Sequence, residues 1–254
     1  MNTNIILTNI IHNEDCLTTI ARMPDNCVDC IITSPPYNKK SANRKPNKSD
    51  TWSGGNSAIK YSHLSDDLPE VEYQNWQINI INECLRILKP TGSFFYNHKN
   101  RTIDKGIITP YEWILHSQAI IKEEIIWDRQ MIVEVDKVRF YPKTERIFWL
   151  IKERTQPKFN PDFAKLTDIW KITPTQGEER NNHPAPFPDD IPSRCICATT
   201  DEGDLIYDPF MGSGTSAVSA VTYKRKFIGS EISPEYCAIA KKRLIPYLSQ
   251  TSLF

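Results

Sequence analysis

The stretch Asp204-Leu205-Ile206-Tyr207-Asp208-Pro209-Phe210-Met211-Gly212-Ser213-Gly214-Thr215 decides the fold class. A short apolar run enters a turn that holds two of the chain's nine glycines, and Ser216–Val221 then begins a helix. Lys226-Phe227-Ile228-Gly229-Ser230 reads as a second strand closed by Glu231. Ser233-Pro234-Glu235 starts a last helix with a serine cap and a first-turn proline. This β-turn-α-β-α unit belongs in an α/β protein with a mostly parallel, doubly wound sheet. A Gly-x-Gly turn between strand and helix lets a ligand lie against bare backbone, and Glu231 stands where such sheets place a ribose-gripping carboxylate. No lysine follows Gly214 as in a phosphate loop, and position 217 is Ala where a dinucleotide turn has its third glycine. The pattern favours a nucleoside ligand without a pyrophosphate.

Moving toward the N-terminus, a helix is expected from about Asp190 to Thr200, preceded by His183-Pro184-Ala185-Pro186-Phe187-Pro188. Residues 153–182 are polar and irregular around the island Asp168–Ile172. Ile132–Val135 and Glu145–Ile151 read as the two strands of an antiparallel hairpin. Helix then strand is expected twice before that: roughly 110–121 with Glu124–Trp127, and 69–89 with Ser93–Asn97, the latter helix ending at Lys89-Pro90-Thr91-Gly92. Residues 5–11 form a first strand and 16–23 a short helix, with Asp15 at the junction as helix cap or ligand contact.

The other informative stretch is Asp29-Cys30-Ile31-Ile32-Thr33-Ser34-Pro35-Pro36-Tyr37-Asn38. A buried strand, about Cys27–Ile32, stops at two prolines, which lack an N–H and hold φ fixed. The rigid turn presents the Ser34 hydroxyl, the carbonyl between the prolines and the Tyr37 ring at a strand end. Alone, it reads equally as a loop stiffener or an active site. Beyond it, Lys39, Lys40, Arg44, Lys45 and Lys48 occur with no acid before Asp50, mixed with Asn, Ser and Pro. A loop of this length (38–67), basic and carrying Trp52 and Tyr61, suits phosphate contact and base stacking, or is a solvated loop that orders on binding.

Lys+Arg and Asp+Glu are both 31, so global charge does not argue for nucleic acid and any basic surface is local. No apolar run approaches a membrane span, and the N-terminus shows no signal-peptide pattern, which makes the expected location cytoplasmic. The seven cysteines fit reduced, structural thiols better than a zinc site built from Cys27/Cys30 and Cys195/Cys197, and no metal is expected.

Taken together, the motifs resemble those of the bacterial DNA amino-methyltransferases. Asp208–Thr215 resembles their S-adenosylmethionine-binding motif, Thr33-Ser34-Pro35-Pro36-Tyr37 their catalytic tetrapeptide, and His183–Pro188 the motif that completes the cofactor pocket. Asp15, Leu88–Gly92 and Asp168-Ile169-Trp170 are weaker echoes. The catalytic motif precedes the cofactor motif, the circularly permuted order of the β group. The resemblance spans almost the whole chain and implies a Rossmann-like methyltransferase fold in a single domain, 1–254. It also implies S-adenosylmethionine as cofactor, double-stranded DNA as partner, and a cognate restriction endonuclease and a homodimer as further partners.

For the catalytic group it implies Ser34, Pro35, Pro36 and Tyr37. For the cofactor it implies Asp15, His183, Pro184, Ala185, Phe187, Asp208, Pro209, Phe210, Gly212, Gly214, Thr215 and Glu231. Cytosine N4 is the favoured target and adenine N6 the alternative, since Ser at position 34 is commoner in the cytosine enzymes. The segment available for target recognition, 153–182, is short, so the basic loop is expected to share DNA reading through Lys39, Lys40, Arg44, Lys45 and Lys48. Two remoter readings are an RNA or protein-amide methyltransferase, disfavoured by the motif order, and a non-catalytic DNA-binding subunit, disfavoured by intact Ser34, Tyr37, Gly212 and Gly214.

Overall fold

The computed structural model describes residues 7–38, 68–103, 106–131, 140–175 and 187–248. Ten strands and six helices follow one another among these residues: β1 (Ile10–His12), α1 (Cys16–Ala21), β2 (Val28–Thr33), α2 (Glu70–Ile87), β3 (Leu88–His98), β4 (Arg101–Ile103), β5 (Gly106–Ile108), α3 (Tyr111–Ile114), β6 (Ile120–Asp128), β7 (Thr144–Ile151), β8 (Ile169–Lys171), α4 (Asp190–Thr199), β9 (Leu205–Asp208), α5 (Thr215–Thr222), β10 (Lys226–Ser230) and α6 (Pro234–Leu248). Eight strands form one sheet in the order β1-β10-β9-β2-β3-β7-β6-β8, while β4 and β5 pair separately. Every neighbour pair in the large sheet is parallel except those made by β7.

Side chains alternate across a strand, and here both faces are apolar. Cys30, Ile32, Phe95, Ile206 and Phe227 pack under α4, α5 and α6. Ile31, Phe94, Tyr96, Tyr207 and Ile228 pack under α1, α2 and α3. The crossover from β2 to β3 therefore runs over one face and that from β9 to β10 over the other. Such a reversal opens a crevice at the carboxyl ends of the two central strands, β2 and β9. Thr33 Oγ1 donates to Asp208 Oδ1 across it at 2.9 Å.

The expected doubly wound sheet is present, with two local corrections and one expected strand left untested. The helix expected over 110–121 is only Tyr111–Ile114, because Ser117 Oγ takes the Ala119 N–H and the β-branched pairs Ile120-Ile121 and Ile125-Ile126 belong to β6. β7 lies antiparallel between β3 and β6, with Trp127 of β6 opposite Glu145; the strand expected at 132–135 lies outside the described residues. Residues 89–92 do not separate α2 from its strand. Leu88 already pairs with Val28 and Ser93 with Cys30, so Pro90 and Gly92 sit in a bulge of β3.

Candidate functional site

Strand tips at one edge of the sheet carry the residues singled out by sequence. In sheet order these are Asp15 after β1, Glu231 after β10, Asp208 to Gly214 after β9 and Ser34 to Tyr37 after β2. His183, Pro184, Ala185 and the lysines and arginine of the basic loop lie outside the described residues. Phe187 is described, and its ring packs on Trp127 with centroids 6.3 Å apart.

The glycine turn is tied to its neighbours at three points. Gly212 and Gly214 have φ of 53° and 86°, values that favour glycine, and a Cβ on Gly214 would stand 2.8 Å from that of Ala240. The Glu231 carboxylate accepts from Gly212 N at 2.8 Å and Ser233 N at 2.9 Å, closing the turn. Asp208, buried, accepts from Thr33, from Phe210 N at 3.0 Å and from Ser216 Oγ. Burial outweighs these donors and pushes the Asp208 carboxyl up to about 6. Thr215 Oγ1 accepts from Arg243, which also holds the Ser213 carbonyl. Asp15 caps α1 through Leu17 N at 2.9 Å, the plainer of its two readings. Pro209 is buried, and the Phe210 ring meets Trp76 edge-on at 5.6 Å.

This edge fits a nucleoside ligand bearing positive charge. Glycine backbone without side chains adjoins the crevice, and carboxylates at two neighbouring tips suit hydroxyl donors and a cation better than a phosphate. No group of three or more His, Cys, Asp or Glu able to hold a metal occurs among the described residues. Burial pushes the Cys16 and Cys30 thiols up to about 12, which leaves them protonated and poor nucleophiles.

The Pro-Pro turn is anchored beneath by Tyr73 of α2, whose hydroxyl donates to the Pro36 carbonyl at 2.8 Å and lies 2.7 Å from His98 Nε2. The Tyr37 ring packs on His98 with centroids 4.4 Å apart. Its hydroxyl donates to Glu145 Oε2 at 2.9 Å, lies 2.8 Å from Ser34 Oγ and accepts from Asn97 Nδ2 at 2.7 Å. A carboxylate only accepts, which fixes the direction of the chain. Tyr37 has one hydrogen and gives it to Glu145, so Ser34 gives its hydrogen to Tyr37; Ser34 Oγ accepts from Asn97 Nδ2 at 3.4 Å and has one further lone pair for another donor. Burial and the neighbouring Glu145 charge hold the Tyr37 hydroxyl well above the ordinary tyrosine range.

Sequence reasoning missed Asn97 and Glu145. Asn97 is the penultimate residue of β3, and Glu145 is the second residue of the reversed strand β7, so both reach the same edge. The signal was a polar residue at the end of an otherwise apolar strand, which carries meaning only once the sheet order is known.

Comparison with known proteins agrees with this geometry. A family model described as DNA methylase, of the N6 and N4 type, matches residues 28–242. The chain is similar to the type II methyltransferase M.BglII of Bacillus subtilis, at 30% identity over 265 residues, covering 91% of this chain and 68% of the relative. In structure it is similar to the PvuII DNA methyltransferase, titled cytosine-N4-specific, with a TM-score of 0.72 at 21% identity, covering 92% of this chain and 85% of that one. A DNA modification methylase of Thermus thermophilus complexed with S-adenosyl-L-methionine gives a TM-score of 0.67 at 20% identity, covering 94% of this chain and 95% of that one.

Proposed function

Because this chain belongs to the N6/N4 family of DNA methylases, we propose that Ser34, Pro35, Pro36 and Tyr37 present a flipped DNA base for methylation, with N4 of cytosine as the target. The enzyme is an S-adenosylmethionine-dependent DNA amino-methyltransferase. The cofactor supplies an electrophilic sulfonium methyl group when bound. Gly212, Gly214, Thr215 and Pro209 shape its cradle with Phe210, and Glu231 and Asp15 face its hydroxyl and amine donors through lone pairs beyond those used in closing the turn and capping α1. Asp208 holds the cradle to the Pro-Pro turn through Thr33. The resemblance assigns His183, Pro184 and Ala185, which lie outside the described residues, and Phe187 to the same pocket.

The exocyclic amine of a base is a weak nucleophile, because its lone pair is delocalised into the ring. Acceptors facing both of its hydrogens draw the nitrogen toward a tetrahedral shape and release that pair. The observation that carries this reading is the fixed polarity of Ser34, whose hydrogen is committed to Tyr37 so that Oγ presents the lone pair not taken by Asn97 to an amine hydrogen. The Pro35 carbonyl serves as the second acceptor, and proline rigidity preorganises both. Tyr37 stacks on the base taken out of the duplex. Transfer is direct, and no cysteine intermediate is involved. Serine at position 34, commoner in the cytosine enzymes of the family, supports cytosine N4 over adenine N6.

DNA is the macromolecular partner, and a cognate restriction endonuclease suits an enzyme similar to a type II methyltransferase. No helix among the described residues is long and apolar enough to cross a membrane. Incubation with DNA and labelled methyl donor, followed by digestion to nucleosides, tests the assignment. N4-methylcytosine is expected, and N6-methyladenine would overturn the choice of base. Ser34→Ala and Tyr37→Ala should abolish transfer while cofactor binding persists, and normal turnover by either would overturn the site.

A further inference from the structure

Methylating an amine leaves a proton to be removed, and Ser34 is a hydroxyl that cannot keep it. A carboxylate stands two hydrogen bonds away, and β7 is the element that brings it there. Glu145, 8% exposed, accepts from Tyr37 on Oε2 and is paired through Oε1 with Arg129 Nη1 at 3.3 Å. Asn97 Nδ2 also reaches Oε2, at 3.1 Å, so its amide must face the carboxylate with nitrogen. The Asn97 Oδ1 on the other side is buried with no hydrogen-bond partner among the described residues. These contacts make an oriented path, Ser34 to Tyr37 to Glu145, lined by an amide that cannot turn over.

We propose that Glu145 is a positioning residue that sets the polarity of this path and takes up, through Tyr37 and Ser34, the proton shed by the methylated amine. The inference rests on the function proposed above. As the nitrogen lone pair forms the N–C bond, the C–S bond breaks with its electron pair staying on sulfur, and nitrogen is left with a positive charge and one proton to lose. That proton passes to Ser34 Oγ, the Ser34 proton to the Tyr37 oxygen, and the Tyr37 proton to Glu145 Oε2. Only Glu145 changes charge, and it returns to carboxylate by releasing the proton to solvent. Keeping the tyrosine hydroxyl protonated throughout matches its raised titration.

The groups in contact with Glu145 are Arg129 beyond the end of β6, Tyr37 from the turn, and Asn97 near the end of β3; the Lys99 ammonium lies 5.8 Å from the Tyr37 ring centroid, and the Asp128–Lys143 pair, 3.0 Å apart, flanks the carboxylate. Arg129 occupies Oε1 of the carboxylate, which leaves Oε2 as the acceptor at the end of the path.

The test compares wild type, Ser34→Ala, Glu145→Gln, Glu145→Asp, Tyr37→Phe and the double variant Tyr37→Phe/Glu145→Gln in single-turnover methylation across pH. Cofactor affinity is read by calorimetry, and base flipping by the fluorescence of 2-aminopurine placed next to the target. Glu145→Gln keeps an acceptor for Tyr37 but holds no proton, and is expected to lose roughly a hundredfold in rate. It should lose the fall in rate at low pH as well, with affinity and flipping unchanged. Tyr37→Phe should lose a similar factor, the double variant no more than either alone, and Glu145→Asp should recover part of the rate. Losses that multiply in the double variant, or a Glu145→Gln rate and pH profile like wild type, overturn the relay. If Glu145→Gln fails to fold, Tyr37→Phe at the wild-type rate overturns it too. An active Ser34→Ala would overturn the underlying reading, whereas an inactive Ser34→Ala beside a normal Glu145→Gln would overturn the relay alone.

Discussion

Asp208 shows how much of the site is built from groups held against their solution preference. Its carboxyl is buried, bridges the Pro-Pro turn and the glycine turn, and is pushed from 3.8 up to about 6. A raised acid binds its proton in the folded state over a window where the unfolded chain has released it, so stability falls as pH rises from about 4 to about 6 and is level above. A shift of this size corresponds to roughly 3 kcal/mol. Asp208→Asn cannot ionise, so the unfolding free energy of the variant relative to wild type should rise across that window by up to this amount, as measured by urea unfolding at several pH values. A difference that stays constant with pH would show that Asp208 titrates normally. At this scale, the residues legible in sequence were those with a local signature. Prolines end a strand, glycines take positive φ, and Ser34 and Tyr37 sit three residues apart. Glu145 and Asn97 carry no such signature, because Glu145 meets Tyr37 across 108 positions and Asn97 across 48.

Among the elements, α2 does most to hold the turn in place. Tyr73 fixes the Pro36 carbonyl, and Tyr73 is itself held from above by Arg101 at the start of β4. The Arg101 guanidinium lies 4.6 Å from the Tyr73 ring centroid and 5.5 Å from that of Trp113, and grips Glu70 in the first turn of α2 with bonds of 2.9 and 2.6 Å. Its side chain is 5% exposed, so removing it strands a partly buried carboxylate and uncovers two aromatic faces. Arg101→Met should cost about 3 kcal/mol in urea unfolding, and Arg101→Lys, which keeps the charge but not the fork, should fall between it and wild type. A loss below about 0.5 kcal/mol in Arg101→Met would place the pair among ordinary surface contacts. Elements were legible where an apolar run had clear punctuation, as in β2, β9, β10 and α6. The segment at 110–121 misled because its apolar residues suit either period, and only pairing with β7 settles Ile120 and Ile121 as strand.

For the molecule as a whole, the balance of 31 basic and 31 acidic residues means that DNA must be met by a local surface. Two segments compete for that role. The first part of 153–182 lies at the sheet edge opposite the site: Lys158 N donates to the Thr91 carbonyl at 3.1 Å, Lys158 Nζ pairs with Asp201 and Asp204 just ahead of β9, and Phe159 packs against the core. Its second part, β8, pairs in parallel with the end of β6 and brings Lys171 beside Asp128 at the site edge, with Trp170 buried in the core. The basic loop leaves directly from the Pro-Pro turn and returns at Leu68, where the Asn38 side chain bonds the Leu68 carbonyl at 2.9 Å and its amide at 2.7 Å, so both ends are pinned beside Tyr37. Its charge was legible in the sequence; its attachment to the site was not, because the Asn38–Leu68 clasp is a tertiary contact. Deleting residues 41–57 removes Arg44, Lys45 and Lys48 while leaving the clasp. DNA affinity should fall, and the slope of log affinity against log salt should flatten by about 0.9 for each phosphate that is no longer neutralised, with cofactor affinity unchanged by calorimetry. If affinity and slope both match wild type, the loop does not touch the phosphates, and DNA reading passes to the remainder of 153–182 or to a second subunit.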